Sequence, residues 1–137
     1  MFTNTPNTSL EPAPDIILNL ERARAMAKQW ADAWNAQDLD RILSHYSDSV
    51  VFYSPTVITR YGEPSGCLKG KEALRKHFQR GLDSFGGNVQ FNILDVLAGV
   101  NGYTVYYSRE TGATAVDTVI VDADGKAVQV HAHYHAA

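Results

Sequence analysis

The chain has 137 residues, 45% of them hydrophobic and 20% charged, which sets a single globular domain with enough apolar surface for a core. Its net charge of −3 and the lack of a dense basic run exclude the electrostatic footprint of a nucleic-acid binder. One cysteine, Cys67, rules out an intrachain disulfide and fits a reducing compartment. No apolar run reaches the roughly 20 residues of a membrane helix, and the first residues lack a secretory pattern, so a cytoplasmic location without membrane association is expected.

Residues 1–14 are rich in Pro, Thr and Asn and read as a polar arm ahead of one domain, 15–137. Asp15 is a candidate N-cap. Apolar residues at Leu20, Ala23, Ala27, Trp30 and Trp34 then recur at intervals of three and four, which predicts an amphipathic helix over about 15–35. Asn35-Ala36-Gln37 breaks it. Asp38 caps a second helix with Leu39, Ile42, Leu43 and Tyr46 on its apolar face, and Val50–Ser54 reads as a short strand. Residues 55–66 contain two prolines and two glycines and read as a loop, with Arg60 and Tyr61 as lid or rim residues. Gly70 opens a third helix over Lys71–Asp83 with Leu74, His77, Phe78 and Leu82 on or near its buried face. Its Arg75-Lys76 cluster reads as a solvated surface.

From Asn88 the period changes to two. Val89, Phe91 and Ile93 alternate in one phase and Leu94, Val96 and Ala98 in the other, which predicts a β-bulge at Ile93-Leu94. Turns at Asn101-Gly102, Thr111-Gly112 and Asp122–Gly125 divide the remainder into a meander of four antiparallel strands. The expected architecture is α+β: a strongly bent, cone-shaped antiparallel sheet packed on one face against three helices. Asp117 is in phase with Val119 and Val121, so it shares their interior face. A carboxyl group there must find a partner, line a cavity, or shift its pKa upward.

Three stretches, WADAWNAQDLDRILSHYSDSVVFYSP, LKGKEALRKHF and VDTVIVDADGKAVQVHA, resemble the nuclear transport factor 2-like superfamily, specifically its SnoaL-like and ketosteroid isomerase-like branch. The resemblance implies a cystatin-like fold with a hydrophobic pocket, and a homodimer formed through the outer face of the sheet. It also points to Asp117. In ketosteroid isomerase an acid on the corresponding strand, nine residues before a Gly-Lys lysine as Asp117 is before Lys126, stays protonated and donates to an oxyanion. In SnoaL-like polyketide cyclases an aspartate of this region acts as acid or base. The remaining isomerase positions differ: its base aspartate matches Ser54, and its two tyrosines match Trp30 and Phe78.

His77 is the candidate base opposite Asp117. Trp30, Phe52, Ser54, Tyr61, Phe78, Tyr107, Val119, Val130, Ala132 and Tyr134 are the candidate pocket residues, while Trp34 reads as plain core. His131, His133 and His135 share one strand face but have no acidic or cysteine ligand beside them. They read as an outer-face stripe and not as a metal site. No nucleophile elbow, P-loop or dinucleotide fingerprint is present, so no cofactor is expected. Two functions stand at this point. One is cofactor-free acid–base chemistry (isomerisation, cyclisation or dehydration) on a hydrophobic cyclic or polyketide-like carbonyl compound. The other is a non-catalytic ligand-binding or dimerisation module with a residual pocket.

Overall fold

A computed structural model describes residues 19–135, so the polar arm and the Asp15 cap lie outside the described residues. The first helix, α1 (Leu20–Asn35), is capped by Asn19, whose side chain accepts from Arg22 N at 2.8 Å. It buries Ala23, Ala27, Trp30 and Trp34 of the predicted stripe, while Leu20, at its first turn, is exposed. Gln37 takes a left-handed conformation (φ 55°) in the break, and Asp38 caps α2 (Leu39–Leu43).

Two stretches differ from the sequence reading. Strand β1 starts earlier and runs Tyr46–Tyr53, because Tyr46 pairs with Ala127 of the last strand. Tyr46 therefore belongs to the sheet wall and not to a helix face. The expected loop after β1 contains a helix, α3 (Pro55–Tyr61). Ser54 caps it, Pro55 occupies its first turn, where a missing N–H costs nothing, and Gly62 ends it in a left-handed conformation (φ 67°). A short edge strand, β2 (Cys67–Lys69), then pairs antiparallel with β1. Helix α4 (Lys71–Phe85) ends two residues beyond the predicted Asp83, with Gly86 as its C-cap.

The four C-terminal strands are β3 (Asn92–Gly99), β4 (Gly102–Ser108), β5 (Thr114–Val121) and β6 (Ala127–Tyr134). They form the expected antiparallel meander. A parallel pairing of β1 with β6 makes the whole six-stranded sheet mixed, in the order β2-β1-β6-β5-β4-β3. The register shifts between Ile93 and Asp95, at the position where the hydrophobic phase changes.

Alternation separates the two faces. Tyr103, Val105 and Tyr107 of β4, Asp117 and Val119 of β5, and Val130 and Ala132 of β6 are buried on the inner face. The helices pack on this side, and Asn35 ties α1 to the sheet entry by bonding both the N–H (2.7 Å) and the C=O (3.0 Å) of Phe91. The outer face carries Tyr106, Val116, Thr118 and His131. Lys126 donates to Ser44 O at 2.6 Å, closing the end of α2 against the last hairpin.

Candidate functional site

A cavity of about 220 Å³ opens between the inner sheet face, α1, α3 and α4. Asp117 forms part of its lining. It stands at the centre of the sheet, with Val105 opposite on β4 and Ala132 opposite on β6, and is 5% exposed. Its Oδ1 has no hydrogen-bond partner. Burial pushes its carboxyl up to about 7, against the opposing pull of the Arg109 guanidinium and the neighbouring Tyr107 hydroxyl. Arg109 is not within ion-pairing distance of Asp117. Its nearest carboxylate is Glu110, at 3.6 Å.

The walls are aromatic. Trp30 meets Tyr107 edge-on at 5.1 Å between ring centroids, and Phe78 meets Trp34 at 4.9 Å and Phe52 at 5.5 Å in the same manner. Such contacts fix ring positions and lower the local dielectric. Trp30 Nε1 donates to Tyr46 Oη at 3.1 Å, so this tyrosine is held in place. Burial raises the pKa of Tyr46 and Tyr107 well above the usual phenol value, aided by the charge of Asp117, and both remain neutral donors. Tyr134 lies at the rim, 36% exposed, with its pKa also raised by burial.

His77 lines the opposite wall at 4% exposure. Arg60 Nη1 donates to its carbonyl at 3.0 Å and faces its Nδ1 at 3.3 Å. A guanidinium can only donate, so Nδ1 is the acceptor and Nε2 carries the proton toward Thr56 Oγ1, 3.0 Å away. Thr56 Oγ1 in turn meets Ser54 Oγ at 2.7 Å. Burial, with help from Arg60 and Arg80, lowers His77 to about 4. The imidazole is therefore neutral near pH 7, and its lone pair is already engaged.

The structure gathers Asp117, His77, Trp30, Phe52, Phe78, Tyr107 and Tyr134 around one cavity. It places the other expected pocket residues elsewhere. Ser54 is turned into the cap of α3, and Tyr61 is 41% exposed on that helix, against Arg80. Val130 and Ala132 are on the inner face but are sealed into the core at 0% and 6% exposure. Val119 faces a separate void of about 10 Å³ behind Asp117, bounded also by His45 and Tyr103. Sequence reasoning missed Trp34, Thr56, Gly81, Ser84, Phe85, Phe91 and Arg109 as cavity residues, and it placed Arg60 at a rim where the structure makes it lining. The spacing of Gly81, Ser84 and Phe85 after Phe78 on one helix face was the available signal.

His131 and His133 lie on the outer face, opposite Thr118 and Val116 of β5, with His131 stacked on Tyr53 at 4.4 Å. No group of three or more His, Cys, Asp or Glu side chains suited to a metal ion occurs among the described residues. No helix among them is long and apolar enough to cross a membrane.

Several solved structures share this architecture. A SnoaL-like protein of unknown function from Burkholderia thailandensis is 34% identical with a TM-score of 0.83, over 88% of this chain and 99% of that one. A protein with a cystatin-like fold from Methylobium petroleophilum matches at 15% identity and a TM-score of 0.67, over 88% of this chain and 80% of that one. A protein from Kribbella flavida, provisionally named a ketosteroid isomerase, matches at 18% identity and 0.60, over 86% and 81%. The last two show the fold alone. No curated protein matches the chain. The model of the SnoaL-like domain matches residues 27–137, and the chain belongs to that family within the nuclear transport factor 2-like superfamily.

Proposed function

We propose that the protein is a cofactor-free acid–base catalyst that moves a proton on a small cyclic carbonyl compound, with Asp117 as the group that gives and takes it. One observation carries this reading: a carboxyl with an unpaired oxygen is buried against an aromatic cavity, and that burial pushes its pKa up to about 7. A group with its pKa near the working pH is present in both forms, which is the condition under which one residue can serve as donor and then as acceptor. Removal of a proton beside a carbonyl and its return at a second carbon is an isomerisation. The same steps coupled to carbon–carbon bond formation or loss of water give cyclisation or dehydration.

His77 does not act as the base in this reading, because Arg60 occupies its lone pair. It holds Thr56 and α3 in place at the far wall. Tyr107 is the neutral donor beside Asp117 that stabilises charge developing on the carbonyl oxygen. A second copy of the chain covers the outer sheet face, where Tyr106 is 39% and Leu97 57% exposed.

The engaged lone pair of His77 also favours the rival reading, a ligand-binding module without turnover. Deuterium wash-in at the enolisable carbons of a cyclohexenone separates the two. Wild type accelerates exchange, and Asp117→Asn loses about 10²–10⁴-fold, the usual contribution of a general acid or base. Equal exchange in wild type and variant removes Asp117 from catalysis and leaves the binding module.

A further inference from the structure

Four buried side-chain atoms among the described residues have no hydrogen-bond partner: Trp34 Nε1, Arg109 Nε, Glu110 Oε1 and Asp117 Oδ1. Native interiors leave few such groups, and each one costs the desolvation of a polar atom that has gained nothing in return. Three of the four belong to residues that line the same cavity. Two of these three, the indole N–H of Trp34 and the guanidinium N–H of Arg109, are donors that flank one ring. Trp34 stacks on Phe91 at 5.2 Å, and the Arg109 guanidinium lies over Phe91 at 4.9 Å and over Phe85 at 4.8 Å. The planar cation is thus held in a fixed orientation, which suits recognition of a carboxylate.

The lining carries two permanent cations. Arg60 and Arg109 both face the cavity, and no carboxylate among the described residues lies within 4.0 Å of Arg60. Asp117 is the single acidic residue of the lining, and Glu110, the partner of Arg109, lies outside it. The volume of about 220 Å³ is below the roughly 300 Å³ at which drug-sized sites begin, so it fits one ring with a short substituent better than a fused polycycle.

We infer that the ligand is a small cyclic carboxylic acid bound as its anion, its carboxylate accepting from Arg109 and its ring carbonyl turned toward Asp117. This rests on the acid–base reading for the role of Asp117 but not for the carboxylate pole. The two poles do different work. The cationic end fixes orientation and supplies binding energy away from the reacting atoms, and the carboxyl end meets the carbonyl whose neighbouring proton moves. Glu110 competes with the ligand for Arg109, so its charge moderates affinity.

Both tryptophans line the cavity, so their emission reports occupancy. The probes are 3-oxocyclohexane-1-carboxylate and its methyl ester, which differ in charge and by one methyl group. The carboxylate is expected to bind at least about tenfold tighter than the ester, a difference of about 1.4 kcal/mol. Arg109→Gln should bring the two to within about threefold, the loss of one charge-assisted pair. Glu110→Gln should tighten the carboxylate several-fold and leave the ester unmoved, a gain that misfolding cannot produce. An ester that binds as tightly as the acid, a preference that survives Arg109→Gln, or no response to either probe overturns the inference. If the carboxylate preference holds while Asp117→Asn leaves deuterium exchange unchanged, the acid–base reading falls and the ligand class stands. If exchange depends on Asp117 but the ester binds equally well, the reverse applies.

Discussion

The two faces of the sheet are built from the same strands, yet they treat polar groups in opposite ways. On the outer face, polar side chains have partners: Thr104 and Thr118 hydroxyls meet at 3.4 Å across β4 and β5, and His131 stacks flat on Tyr53. One residue along β5, the chain turns Asp117 inward among aromatic rings, where Oδ1 is buried and has no hydrogen-bond partner. Neighbours in sequence thus differ by the full cost of burying a carboxylate, and the protein meets that cost by raising the pKa. A single step along the strand is all that separates an ordinary surface residue from a buried carboxyl.

The largest expected break in this comparison comes from exchanging chemistry at adjacent positions. Asp117→Asn is expected to reduce proton exchange about 10²–10⁴-fold, whereas Thr118→Val, on the opposite face, should leave it within about twofold, since surface changes of this kind stay near ±0.5 kcal/mol. Equal losses in both variants would show that the effect is structural.

Stability against pH should sharpen the same contrast within the cavity. Asp117 is raised from 3.8 to about 7, so between these values the native state holds a proton that the unfolded chain has released. Stability from this group is complete below about 4 and is lost as pH rises to about 7, with a limiting slope of about 1.4 kcal/mol per pH unit. His77 is lowered from 6.5 to about 4, so the unfolded chain binds the extra proton in that window and stability rises with pH. The two slopes oppose each other between about pH 4 and 6.5. Denaturation of wild type should therefore vary little over this range. Asp117→Asn, left with the His77 contribution, should gain stability with rising pH, and His77→Gln, left with Asp117, should lose it. Parallel profiles for all three proteins would mean that neither group is shifted as described.

Gly81 offers a milder test. It lines the cavity from within α4, and a Cβ there meets no atom within 4 Å. Gly81→Ala should stabilise the helix by roughly 0.5–1 kcal/mol, measured by urea unfolding. Gly81→Leu should retain part of that gain while blocking ligand from the tryptophans. A stabilised Gly81→Leu variant that still binds would place the ligand elsewhere. On the outer face, Val116→Arg should convert a dimer to a monomer in sedimentation without changing exchange. If Val116→Arg sediments as wild type does, the second copy does not sit on this face.

The sheet was largely legible in the sequence because each of its features has a local cause. The phase change at Ile93-Leu94 marks the bulge, and the alternation through Asp117, Val119 and Val121 assigns the inner face. Helix α3 was not read, although Ser54-Pro55 and Gly62 are proper start and stop signals. Seven residues give too short a period to outweigh the surrounding prolines and glycines. Arg109 was harder to place. It follows the last residue of β4, where strand alternation no longer dictates a direction, and its position depends on Phe85 and Phe91 from distant parts of the chain. Likewise, nothing near His77 in sequence shows that Arg60 engages its lone pair.

The most direct test is the titration of Asp117 itself, followed by the carboxyl carbon resonance of the isotope-labelled protein, with Asp117→Asn identifying the signal. The account predicts a midpoint near 7 in wild type that falls in Trp30→Ala, which admits water to the carboxyl. A midpoint in the ordinary carboxylate range, near 4, would mean that Asp117 is ionised at neutral pH, and the central claim would be wrong.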